Sequence, residues 1–139
     1  MKIKKENNKI FVVLDIGDEI MSSLKQLAKD ENIPSASISG IGGIGDVTLG
    51  YFDLAQNKYL HKEFPGSKEA ISLIGSITWF NNEPMIHLHV CLAGADYVPI
   101  AGHLVQGTIT VTAELFLEVN QTRIERRPHE KLNFNKIIL

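Results

Sequence analysis

Two histidines one residue apart, His87 and His89 in PMIHLHVCLAG, have the types and spacing in this chain that point most directly to chemistry. In a β-strand, residues i and i+2 project from one face about 6.6–6.8 Å apart. His87 and His89 then share a face with Met85 and Cys91, while Ile86, Leu88, Val90 and Leu92 take the opposite, core-facing side. Two imidazoles so placed can converge on one ion, because zinc–nitrogen bonds of about 2.0–2.1 Å are reached when the rings lean together. His103, in IAGHLVQG, is the candidate third ligand. Three histidines and one open position form the pattern of a catalytic zinc site. The competing reading is a pair of surface imidazoles hydrogen-bonded on a sheet, and spacing alone leaves both open. Cys91 lies on the histidine side, where a small buried thiol is the ordinary role. His61 and His129 sit among polar residues and read as solvent-facing.

Strand parity says what should stand beside the histidines. A strand over Ile71–Phe80 places Ile71, Leu73, Ile77 and Trp79 on one face and Ser72, Ser76 and Thr78 on the other. A four-residue loop, Asn81–Pro84, would pair it with the histidine strand so that apolar faces match. Thr78 then faces His87 and Ser76 faces His89, leaving small hydroxyl groups to bond the rings from a second layer. In a strand over Thr108–Val119, Ile109, Val111, Ala113, Leu115 and Leu117 are core-like, and the other face carries Thr110, Thr112 and Glu114. Glu114 is the candidate to orient a histidine or to transfer a proton. Its alternative is a solvated or subunit-contact glutamate.

The remaining elements follow from periodicity and turn chemistry. Ile10–Ile16 reads as a buried strand. Asp18 can cap a helix whose apolar positions Ile20, Leu24, Leu27 and Ala28 form one stripe, ended by Asn32 and Pro34. SASIS, DVTLGYFD and NKYLHKEF are strand candidates, and LNFNKIIL adds an edge strand or a partner contact. One main amphipathic helix, with room for short additional ones, among seven or eight strands predicts an α+β fold with a largely antiparallel sheet. The length predicts one domain over 1–139, with a core of about 10–119 and a C-terminal extension, 120–139. RIERRPHEK, within that extension, reads as a solvated charged segment, since Glu125 and Glu130 interrupt its basic residues.

Ser39–Gly50, SGIGGIGDVTLG, carries the glycine spacing Gly40-x-Gly42-x-x-Gly45 of a dinucleotide-binding turn. That motif needs a helix to start at the third glycine and hold the pyrophosphate. Here DVTLGYFD follows, which alternates like a strand, so no nucleotide cofactor is expected and the glycines read as a bend allowing close backbone approach. A formal charge of −2 and pI of about 6.2 give no overall basic field for nucleic acid. A single cysteine and no signal-type or membrane-length apolar run suggest a cytoplasmic protein with no membrane partner.

The ordered set SGIGGIGDVTLGYFD, ISLIGSIT, PMIHLHVCLAG and AGHLVQGTITVTAELFLEV resembles the PPC (plants and prokaryotes conserved) domain, from about Ile10 to Glu118. The resemblance implies a compact α+β domain assembling as a homotrimer. It implies a metal, zinc, on three histidines, matched by His87, His89 and His103, with Ala101 replacing the first glycine of the family's Gly-Gly-His-Leu. Plant members carry an AT-hook, and stand-alone prokaryotic members are described as DNA-binding by that association. RRPHE lacks the hook's glycine. The expectation is therefore a small trimeric module with a three-histidine zinc site, regulatory or ligand-binding, with DNA, another protein or a small ligand as partner. The alternative is a zinc-dependent hydrolase or lyase acting on a small carbonyl substrate. It follows from an architecture similar to acetolactate decarboxylase, with Glu114 as the candidate for proton transfer.

Overall fold

Alternating apolar and polar residues over most of the chain build nine strands and one helix in a computed structural model that describes residues 1–139. In chain order these are β1 (Lys2–Glu6), β2 (Lys9–Asp15), α1 (Ile20–Asp30), β3 (Ser35–Asp53), β4 (Lys58–Phe64), β5 (Lys68–Phe80), β6 (Glu83–Ala93), β7 (Pro99–Asn120), β8 (Glu125–Pro128) and β9 (Asn135–Ile138). All pairings are antiparallel except one contact between β5 and β8. The α+β class, the largely antiparallel sheet and the single main helix are as the pattern predicts. No helix is long and apolar enough to cross a membrane.

Two strands are far longer than the usual 3–10 residues: β3 has 19 residues and β7 has 22. Each serves two sets of partners. The first half of β3 pairs with β5 and with the end of β7, and its second half pairs with β4 and the start of β7. Since β5 also pairs with β6, and β6 with β7, strands β3, β5, β6 and β7 close into a ring. Ile44, Leu49, Leu73, Leu88, Leu92, Leu104 and Ile109 from these strands join Ile20, Leu24, Leu27 and Ala28 of α1 in one buried cluster. The helix packs on β6 and β7, opposite the side on which the histidines emerge.

Several expectations are corrected here. The glycine-rich segment is not a bend between two strands but lies inside β3, with register irregularities at Gly40–Gly42 and Gly42–Ile44; the strand in place of a helix there, and the close backbone approach, are as expected. The β5–β6 turn has two residues rather than four: Asn81 and Asn82 both take positive φ, 51° and 62°, the geometry that matches strand twist in tight hairpins. Ser76 therefore pairs with His87, Ile74 with His89 and Thr78 with Met85. The two-residue slip preserves the faces. Alternation places Ile71 and Val111 in the core, yet they are 55% and 60% exposed. Ile71 is the extra residue of a bulge between Ala70 and Ser72, and Val111 falls where the β3–β7 register jumps, so each is turned outward. The N-terminal Lys2–Glu6 forms a strand on β2.

Glu19, not Asp18, caps the helix. Its carboxylate accepts from Met21 N at 3.1 Å and Ser22 N at 2.7 Å, and from Gly107 N of β7 at 3.3 Å. Asp18 instead accepts from Asp15 N and pairs with the N-terminal amine. Glu19→Ala is expected to lower stability by about 1–2 kcal/mol, since it removes a cap and a tether between helix and sheet. A denaturant midpoint shift with unchanged slope is the readout.

Candidate metal and ligand site

Register brings the three histidines together. His89 of β6 stands directly opposite His103 of β7, and His87 lies two residues back along β6 on the same face. The ring centroids are 5.1 Å apart for His87–His89 and for His87–His103, and 5.6 Å for His89–His103. One ligand nitrogen from each lies within 4.8 Å of the others. Tetrahedral ligands at about 2.0–2.1 Å from zinc are about 3.4 Å apart, so modest ring rotations suffice. Gly50, opposite His103 on β3, makes room: a Cβ there would lie 3.3 Å from both His103 Cδ2 and Tyr59 Cδ1.

The polar groups around these rings are not self-sufficient. His103 Nδ1 is buried with no hydrogen-bond partner, an arrangement native structures avoid unless something absent supplies the bond. Burial, and then the neighbouring His87 and His89, hold the His103 pKa down to about 4; burial and then Arg126 lower that of His87. Both rings are thus held neutral at pH 7, the form a metal ion requires. Arg126 is only 9% exposed. Its Nε donates to Thr78 Oγ1 at 2.8 Å, its Nη1 to the Asn135 carbonyl at 2.9 Å, and its Nη2 lies 3.4 Å from His87 Nδ1. Arginine offers only protons, so the His87 nitrogen facing it presents a lone pair. Burial lowers the guanidinium pKa, opposed by Tyr59. No ion pair includes Arg126.

These residues line a cleft of about 510 Å³, walled by Phe52, Tyr59, Met85, Ile86, Asn133, Phe134 and Asn135, with no carboxylate among the lining residues. Phe52 meets Tyr59 and Phe134 edge-on at 5.1 and 5.6 Å. A neutral-histidine cluster beside a buried cation resists protonation. The metal-free protein is therefore expected to lose stability as pH falls from about 6.5 towards about 4, because only the unfolded chain readily protonates His103 over that range. Below about 4 this contribution levels off. Denaturant midpoints across pH should show the slope, and His103→Asn should flatten it.

A sequence-family model for the Plants and Prokaryotes Conserved (PCC) domain matches residues 1–120. The chain belongs to the PCC domain family. Among solved structures it is similar to a candidate DNA-binding protein of Bacteroides thetaiotaomicron (33% identity, TM-score 0.95, covering 99% of this chain and 96% of that one). It is likewise similar to a PPC protein of Pyrococcus horikoshii (30%, 0.84, 97% and 93%) and to a metal-containing protein of Archaeoglobus fulgidus (25%, 0.86, 99% and 96%). No curated protein matches the chain significantly.

In this PCC chain the segment beyond the matched residues supplies four of the eleven residues that line the cleft. Arg126, Asn133, Phe134 and Asn135 all come from it. Asn57, in the β3–β4 turn, holds it down: its Nδ2 donates to the Lys131 carbonyl at 3.3 Å, and its Oδ1 accepts from Asn133 N at 2.8 Å. Trp79 N donates to the Ile124 carbonyl on the other side. RIERRPHEK is therefore not uniformly solvated. Thr78 sits behind Arg126 as its support, and Ser76 pairs with His87 in register but does not line the cleft. Glu114 lies elsewhere: it is exposed, opposite Val13 and Ile41, at a depression lined by Ile41, Ile71 and Val111. It is not positioned to move a proton at the histidines. Cys91 stays outside the cluster, and Ala101 sits in extended β7 opposite it, so the missing glycine alters no turn. His61 is exposed as expected, whereas half-buried His129 accepts from Lys131 N and Leu132 N.

Proposed function

We propose that this PCC-domain chain is a trimeric, metal-dependent binding module, holding a zinc-like divalent ion on His87, His89 and His103 and a small ligand in the adjoining cleft. The observation that carries the reading is the orphaned His103 Nδ1 within a cluster of three imidazoles, two of them held neutral by burial. The similar metal-containing protein from Archaeoglobus fulgidus supports it. An ion on three histidines supplies a Lewis acid with an open position, which keeps a hydrolase or lyase reaction on a small carbonyl compound within reach.

Trimer formation is supported by an apolar face. Ile41, Ile71, Ile74, Val111 and Phe116 are 49–63% exposed on β3, β5 and β7, and Ile41, Ile71 and Val111 line one depression, the kind of exposed apolar surface that a subunit contact covers. Glu114 lies beside this face and reads as a subunit-contact residue.

A second reading, DNA binding, is favoured by the description of the Bacteroides relative. It draws little from this chain's charge of −2, and Arg123 is engaged by Glu125 at 2.7 Å. Native mass spectrometry of untagged protein supplied with zinc tests the first reading. Three chains carrying three ions are expected; a monomer, or a trimer without metal, overturns it. A gel shift with duplex DNA that survives about 0.15 M salt would favour the second.

A further inference from the structure

The site holds a cation with nothing to balance it. Arg126 is nine-tenths buried, makes no ion pair, and looks into a cleft without a carboxylate. A buried charge is ordinarily paired. The imbalance grows when the histidines bind a divalent ion, because three neutral imidazoles contribute no negative charge. A neutral imidazole has one lone pair. Whichever nitrogen of His87 takes the metal, its Nδ1 then has none left for Arg126, and Nη2, now 3.4 Å away, becomes a free donor beside the ion. Nε and Nη1 stay anchored by Thr78 and Asn135, so Nη2 cannot swing out to water without breaking both. Phe52, Tyr59 and Phe134 add aromatic surface to the same cleft, Tyr59 with its ring centroid 5.3 Å from that of His103.

We propose that Arg126 and the histidine-bound metal together form the binding site for a small carboxylate with an apolar or aromatic body. The carboxylate meets the guanidinium, a neighbouring carbonyl or hydroxyl oxygen meets the metal, and the body lies against Phe52, Tyr59 and Phe134. This rests on the metal-binding reading above. A monoanion fits better than a phosphate ester, because only Nη2 of the guanidinium is free and aromatic side chains line the cleft. Metal and carboxylate bind with positive coupling, since the metal frees the donor that the carboxylate uses.

Calorimetric titration of the full-length protein with benzoylformate, a 2-oxo carboxylate bearing one ring, and with its uncharged amide tests this. In the zinc-loaded protein the acid should bind at least about tenfold tighter than the amide, and about tenfold tighter than to the zinc-free protein. By reciprocity, the acid should tighten zinc binding by the same factor. Arg126→Gln should lose the preference for the acid while zinc stoichiometry is unchanged, and Arg126→Lys should keep part of it. The acid–amide comparison in the wild type decides the matter even if Arg126→Gln does not fold. Equal affinity for acid and amide in protein that holds zinc overturns this inference and leaves the metal reading standing. If zinc does not bind, the metal reading fails; an acid preference that persists without metal and depends on Arg126 would still support the anion site, and its absence would remove both. Inorganic phosphate binding more tightly than benzoylformate overturns the carboxylate assignment.

Discussion

His103→Ala is expected to weaken zinc binding by at least about 100-fold, read by competition with a chelator of known affinity. Loss of groups that merely orient a ligand already costs about 10–100-fold in metal affinity, and removal of a ligand should exceed that. His103 is the most informative of the three because it alone comes from β7, while His87 and His89 share β6. Its ring also carries the unpartnered buried nitrogen. His87→Ala and His89→Ala should behave similarly, whereas Cys91→Ala and Glu114→Gln should bind zinc as wild type does, since neither residue belongs to the cluster. Wild-type affinity in His103→Ala would mean that the rings meet without a shared ion.

Gly75→Val should produce the largest loss of stability of any substitution considered, about 3 kcal/mol or more. Gly75 lies in β5 opposite Leu88, between the pairs Ser76–His87 and Ile74–His89. A Cβ there would overlap the His87 carbonyl oxygen and press Leu88 Cδ2 at 2.7 Å. The obstacle is backbone on a closed ring of strands, so relief requires opening the β5–β6 ladder. Zinc affinity should fall in parallel, because His87 is displaced with its carbonyl. Gly94→Ala, where the nearest atom to a new Cβ is Asp96 Oδ1 at 3.5 Å, should stay within about 0.5 kcal/mol of wild type. A denaturant midpoint in Gly75→Val equal to that of Gly94→Ala would refute the argument.

The fold class was legible because its signal is local. Alternation marks β6, and the stripe Ile20, Leu24, Leu27 and Ala28 marks α1. The rejection of a dinucleotide turn at the glycines likewise needed only the strand-like residues after Gly45, which continue β3. Irregularities defeated the rest. Alternation alone places Ile71 and Val111 in the core, but Ile71 is the extra residue of a bulge and Val111 lies where β7 carries two residues more than β3 between Ile109 and Ala113, so both lie outside. The Asn81–Asn82 pair did carry the signal of a two-residue turn, since asparagine tolerates positive φ. Matching the apolar faces is satisfied equally by a four-residue loop, yet Pro84 is the second residue of β6, opposite Trp79. Arg126 left no trace in sequence: its supports, Thr78 and Asn135, come from separate elements, and its charged neighbours imitate a solvated run. Of the two readings of Glu114, the proton-transfer one fails and the exposed one stands, because β7 is long enough for its two ends to face different parts of the molecule.

The short β8–β9 ribbon lies outside the ring of strands that fixes the histidines, joined to β5 by one parallel pairing and the Arg126–Thr78 and Trp79–Ile124 hydrogen bonds, and to the β3–β4 turn through Asn57. Exchanging this ribbon would replace Arg126, Asn133, Phe134 and Asn135 of the cleft while leaving the trio of imidazoles in its ring, much as a lock is rekeyed without rebuilding the door.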